Sequence, residues 1–174
     1  MLTSWVPGAD GSGFPAEHLP FGVFSVAGGP PRLGARIGDH VLDMARLAAD
    51  GMLDSQAGDV FARPTLNPFL AQGPPAWHAV RKRLIELVCD AGTQTQAEPA
   101  LVPLRAADLH LPIDVADYVD FYSSLEHATN LGRLFRPDAD PLLPNWRHLP
   151  VAYHGRAGTV VVSGTPVVRP SGQR

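Results

Sequence analysis

Cysteine occurs only once in the 174-residue chain, at Cys89. A single thiol excludes an internal disulfide, so a reducing, cytoplasmic setting is expected. No apolar run approaches the roughly 20 residues needed to cross a bilayer, so no membrane partner is expected. Positive charge is not in excess either. With 14 lysines and arginines against 17 aspartates and glutamates, the formal net charge is -3. That balance gives no electrostatic footprint for nucleic acid. The opening MLTSWVPGADGSGF has neither a basic start nor a continuous apolar core, and it lacks the arginine-rich character of a transit peptide. It reads as a polar lead-in to a folded domain.

Apolar residues make up 45% of the chain and charged residues 18%, as in an ordinary globular sequence with room for one large domain or two small ones. The 17 glycines and 18 prolines point to short strands and tight turns. In FGVFSV, Phe21 to Val26, bulky and small residues alternate. In RLGARIGDHVLDM, Leu33, Ala35 and Ile37 share one side before a Gly38-Asp39 turn. The Gly28-Gly29-Pro30-Pro31 break separates the two runs, since proline cannot donate to a ladder. Three strands and a hairpin are therefore expected to open the fold.

A helix is expected next. Trp77, Val80, Leu84, Leu87 and Val88 recur at helical spacing after Pro74-Pro75, with Gly92 as a left-handed stop. Thr93 to Ala100 is polar and aperiodic, so it reads as a surface loop, followed by a domain boundary near residue 112. Further on, Leu125, Ala128, Leu131 and Leu134 step by three along a second helix and predict one buried side. Thr159 to Val162 is a β-branched run that reads as a buried strand. Arg169 to Arg174 reads as loop.

Residues 120 to 136, DFYSSLEHATNLGRLFR, concentrate the chemistry. Asp120 offers the hard oxygen that Ca²⁺ or Mg²⁺ selects, His127 a nitrogen base suited to neutral pH, and Arg136 a planar fork for a carboxylate. Together they suggest hydrolysis of an anionic small molecule. Each has a plainer reading: a turn-forming or capping aspartate, a half-buried histidine, a solvated loop arginine. On an extended strand Tyr122 shares a face with Asp120, although a core tyrosine with a wet hydroxyl is the commoner case. Ser123 and Ser124 lack the glycine-flanked elbow of a serine hydrolase. His148 and His154 match no common zinc spacing, and Cys89 lies far from them in the sequence, so structural roles are expected for all three.

The blocks LPFGVFS, RLGARIGDHVLDM, TLNPFLAQGPPAWHAVR, DYVDFYSSLEHATNLGRLFR, PNWRHLPVAYHGRAGTVVVSGTPVVRP and a final GQ occur in an order and at intervals that resemble the N-terminal part of the fumarylacetoacetase (fumarylacetoacetate hydrolase) family. The resemblance covers nearly the whole chain. It implies a mainly β, α+β fold: a small SH3-like β-barrel over residues 1–112, then the first part of a mixed β-roll catalytic domain over residues 113–174. It also implies a cytoplasmic, homodimeric enzyme dependent on Ca²⁺ or Mg²⁺, which hydrolyses a carbon-carbon bond of a β-diketo acid in tyrosine and phenylalanine catabolism. By position, the resemblance makes Asp120 a metal ligand, Tyr122 and Arg136 substrate contacts, His127 the catalytic base and Tyr153 a further tyrosine near the pocket. The family's other acidic ligands, its lysine and the carboxylate partner of its histidine belong to a region beyond Arg174, so an N-terminal fragment, inactive alone, is implied. Two alternatives stay open: a related superfamily hydrolase or decarboxylase of keto acids, and a non-catalytic folding or dimerisation module.

Overall fold

In the computed structural model, residues 2–54 and 59–172 are described. The chain divides into two compact units, one comprising the N-terminal part to Asp114 with the segment from Val162, the other Val115–Val161. The first unit is α+β.

Its three opening strands are β1 (Phe21–Ser25), β2 (Arg32–Ile37) and β3 (His40–Asp43), as the alternation predicts. β1 and β2 pair antiparallel with Val23 opposite Leu33, and β2 and β3 with Ala35 opposite Leu42. Gly38 takes φ +49 at the β2–β3 turn, and a Cβ there would lie 2.9 Å from the Gly8 carbonyl oxygen. Only glycine suits both the dihedral and the space. Two further short strands, β4 (Leu101–Pro103) and β5 (Asp108–His110), join the edges, giving the order β4-β3-β2-β1-β5 among the described residues.

Helices cover the sheet. Asp43 ends β3 and caps α1 (Met44–Ala49): its carboxylate accepts from the Arg46 N–H at 3.0 Å and pairs with Arg32 Nε at 2.7 Å. Asp43 is nearly fully buried, so removing the carboxylate strands the Arg32 fork and opens the helix end. Asp43→Ala is expected to lower unfolding free energy by about 1–3 kcal/mol, read as a drop in the urea midpoint with unchanged slope. After the short helix α2 (Asn67–Leu70), α3 (Pro74–Cys89) presents Val80, Leu84, Leu87 and Val88 to the core at helical spacing. These residues join Val23, Leu33, Ile37, Met44, Leu47, Phe61 and Phe69 in one apolar cluster.

Four expectations for this part of the chain change. The polar lead-in is packed: Val6 and Ala9 are buried, and Trp5 Nε1 donates to the Leu87 carbonyl at 2.8 Å. A few apolar residues set among glycines carried too little periodicity to announce this. Gly92 is not the helix stop. α3 ends at Cys89 because Asp90 turns extended and its side chain accepts from Gly92 N–H, capping a following 3-10 turn. The expected loop Thr93 to Ala100 is helical, with α4 (Gln94–Ala97) followed by a 3-10 turn, since Ala97 and Ala100 are buried anchors that a polarity reading overlooks. Nor is the molecule mainly β: α-helices cover more of the described residues than strands do.

The Val115–Val161 unit contains a two-stranded ladder, β6 (Val119–Phe121) with β7 (Ala152–His154), and one helix, α5 (Leu125–Phe135). Ser124 caps α5 by accepting from His127 N–H at 3.3 Å. Of the stripe expected on α5, Ala128 is buried and Leu131 half-buried, but Leu125 and Leu134 are exposed, and Gly132 completes the buried face instead. Small residues line that face because the backbone at Pro141 lies against it. A Cβ on Gly132 would overlap the Pro141 carbonyl group. The strand expected at Thr159 to Val162 does not form: Ala157–Thr159 is a 3-10 turn and Val161 is half exposed. β-branched composition favours a strand only where another strand is available to pair with it. Arg169 to Gly172 carries no regular structure, as expected of a loop, and Gln173 and Arg174 lie outside the described residues.

Candidate functional site

The β6–β7 ladder sets the geometry of the site. Asp120 lies opposite Tyr153 in the antiparallel register, so their side chains share one face, and Tyr122 follows on that face two residues on. The Tyr122 and Tyr153 ring centroids are 5.6 Å apart, and Trp146 approaches Tyr122 at 6.4 Å. The expectation of a shared face for Asp120 and Tyr122 is met.

Asp120 is held by its neighbour. Arg156 Nη1 donates to Oδ2 at 2.8 Å, and among the described residues Oδ1 accepts no hydrogen bond. Gly155, at φ +107, turns the chain after β7 towards that contact. A carboxylate with one oxygen pinned and one open can serve a cation as a single hard donor. Among the described residues, however, no group of three or more histidine, cysteine or acidic side chains is placed to hold a metal ion.

Arg136 closes α5. Its N–H donates to the Gly132 carbonyl at 2.8 Å, and its Nη2 donates to the Pro141 carbonyl at 2.7 Å. It lines, with Tyr122, Ala128, Asn145, Trp146 and Val151, a cavity of about 110 Å³. A second cavity of about 240 Å³ shares Tyr122, Trp146 and Val151 with the first and is lined also by Phe121, Ser123 and Arg147. His127 stands exposed in the first turn of α5 and lines neither cavity. The structure thus brings Tyr122 together with Arg136, and Asp120 with Tyr122 and Tyr153, but leaves His127 apart.

Two residues of this region escaped the sequence reading. Trp146 borders both cavities, and its signal was the rare tryptophan inside PNWR. Arg156 carries no local signal, since no spacing rule links it to a carboxylate 36 positions earlier. His154 Nδ1 lies 3.7 Å from the Asp117 carboxylate, both exposed. Cys89 is half-buried in α3, where burial, with Glu17 and Asp10 adding to it, pushes its thiol up, away from nucleophile chemistry.

Residues 17–112 match the family model described as fumarylacetoacetase N-terminal. The chain belongs to that family. Curated relatives named fumarylacetoacetase extend the fumarylacetoacetase likeness past the matched domain. The human protein is 46% identical over 178 residues, covering 98% of this chain and 42% of its own length. That of Caenorhabditis elegans is 44% identical over 180 residues, covering 99% of this chain and 43% of its own. The Arabidopsis thaliana protein is 38% identical over 188 residues, again with 99% of this chain covered. The chain therefore spans about two-fifths of the length of these fumarylacetoacetases, and the alignment includes the whole of the β6–α5–β7 region. Among the described residues no helix is long and apolar enough to cross a membrane.

Proposed function

We propose that this chain supplies the N-terminal domain and one wall of the active site of a fumarylacetoacetase, which hydrolyses 4-fumarylacetoacetate to fumarate and acetoacetate, the last step of tyrosine and phenylalanine catabolism. The observation that carries the reading is the grouping on one small unit of Asp120, Tyr122 and Tyr153 on a ladder face and of Tyr122 with Arg136 around one cavity. These are residue types that a diketo acid calls for. In this reading residues 1–112 are an SH3-like barrel, residues 113–174 open a mixed β-roll catalytic domain, and the full protein is a cytoplasmic homodimer.

The chemistry follows from the side chains. Arg136 keeps donors beyond the one given to Pro141, and a guanidinium can take a substrate carboxylate through two of them. Tyr122, packed against Trp146 and Tyr153, presents a phenol on the face that carries Asp120. His127 takes a proton from water, whose oxygen bonds to the carbonyl carbon. The carbon-carbon bond then breaks, and its electron pair leaves with acetoacetate as an enolate that is protonated on carbon. A Ca²⁺ or Mg²⁺ ion bound by Asp120 and ligands from elsewhere in the full protein would polarise the carbonyl and stabilise that enolate. Asp120 Oδ1 fits such an ion as one donor.

Ca²⁺ takes six to eight oxygens, and Mg²⁺ a near-ideal octahedron. Isothermal titration of residues 1–174 with either cation is expected to show no tight stoichiometric binding, whereas a version extended by the remaining three-fifths of the relatives' length is expected to bind and to cleave the diketone. The second half of this comparison tests the function. An extended protein that leaves fumarylacetoacetate intact, measured by the ultraviolet absorbance of the enolised diketone, sinks the reading.

A further inference from the structure

Gly132 touches Arg136 by two routes. Its carbonyl accepts the Arg136 backbone N–H at 2.8 Å, and its Cα face lies against the Pro141 carbonyl group, whose oxygen accepts Arg136 Nη2 at 2.7 Å. Residues 132, 136 and 141 therefore form a closed ring in which the helix end fixes the arginine's backbone and the returning loop fixes its guanidinium. The ring closes only if position 132 has no side chain, because any Cβ would occupy the space of the Pro141 carbonyl. An arginine has many rotamers, and holding one Nη of the fork in place restricts where the remaining donors point. Arg136 lines the cavity beside Tyr122 in that orientation.

We infer that Gly132 is a positioning residue: through the Pro141 carbonyl it aims the Arg136 guanidinium at the carboxylate of a diketo-acid substrate. This rests on the proposed reading of Arg136 as the substrate anchor. A misaimed anchor weakens binding of the acid more than it changes the chemical step, so the signature is a rise in KM for the acid with kcat little altered. It also erodes the preference for the acid over its methyl esters, which lack the charge that Arg136 reads.

The test uses the full-length version with Gly132→Ala, Arg136→Gln and the double variant, assayed on the diketo acid and its methyl esters. Gly132→Ala is expected to raise KM for the acid about tenfold with kcat within about twofold, and the double variant to be no worse than Arg136→Gln alone, the non-additivity of residues acting through one contact. Should circular dichroism show that Gly132→Ala is unfolded, Pro141→Gly, which frees the loop and leaves position 132 intact, takes its place under the same criteria. If Arg136→Gln leaves the acid-to-ester preference unchanged, the anchor reading fails. If Arg136→Gln abolishes the preference but the positioning variant keeps it, or the two effects multiply, the inference about Gly132 is overturned.

Discussion

Phe69→Ala is expected to cost about 3–5 kcal/mol of stability, the range for truncating a buried phenylalanine. Phe69 is 1% exposed, its ring meets Phe21 edge-on at 5.7 Å and Phe61 at 5.8 Å, and its carbonyl accepts from Trp77 Nε1 at 3.2 Å. The side chain thus joins β1 to the 3-10 turn Val60–Ala62, while the backbone carbonyl of the same residue holds Trp77 of α3. Removing the ring leaves a void that β1 and this turn cannot both close upon, because each is fixed elsewhere by its own hydrogen bonds. Phe69→Leu keeps most of the volume and is expected to cost less than half as much. Marginal domains hold about 5–15 kcal/mol in total, so the alanine variant is expected to lie near the edge of folding at 37 °C. Urea unfolding followed by tryptophan fluorescence measures both, and an alanine variant within about 1 kcal/mol of the parent would show that the aromatic junction is not central to the core.

What could be read from the sequence follows from how local each determinant is. The strands at 21–25, 32–37 and 40–43 announced themselves because alternation, a Gly-Pro break and a glycine turn all lie within a few residues of each other. α3 was legible for the same reason, its apolar stripe repeating over four turns. The edge strands at 101–103 and 108–110 were not legible. Each has only three residues, too few for a period, and each exists because a longer strand offers an open edge. The Thr93 to Ala100 segment misled for a related reason: two buried alanines decide its conformation, and alanine has no strong signature in either period.

The site divides along the same line. Asp120 and Tyr122 on one face is a consequence of strand period two, which sequence spacing contains. The Asp120–Arg156 pair and the Pro141–Arg136 contact depend on loops returning to a strand or helix, and no spacing rule encodes them. Gly132 makes the point in reverse. On helix propensity it weakens α5, and it reads as a blemish until the chain lying against it is seen. Leu125 and Leu134 of the expected stripe failed with it, since the face chosen by apolar size is not the one chosen by close backbone approach. In this unit Phe121, Phe135, Leu149 and Tyr153 remain exposed. So much apolar surface on so small a body supports the reading of residues 113–174 as the opening part of a larger domain.

His127→Ala in the full-length version is expected to lower kcat for fumarylacetoacetate about 10²–10⁴-fold, the usual worth of a positioned general base. His127 offers its backbone N–H to the Ser124 cap, a bond that alanine at that position makes equally well, and its side chain is exposed. Substitution at such a position is expected to move stability by no more than about 0.5 kcal/mol, so the rate loss and the fold are separable. Ser124→Ala provides the contrast. It removes the cap and is expected to cost about 1 kcal/mol of stability, with a smaller loss of rate because the imidazole is retained on a frayed first turn. Stopped-flow assay of diketone loss, alongside thermal melts of both variants, discriminates the two. A His127→Ala enzyme with near-parental kcat would remove His127 from the mechanism. A loss of rate in proportion to a loss of folded protein would make it a structural residue of α5.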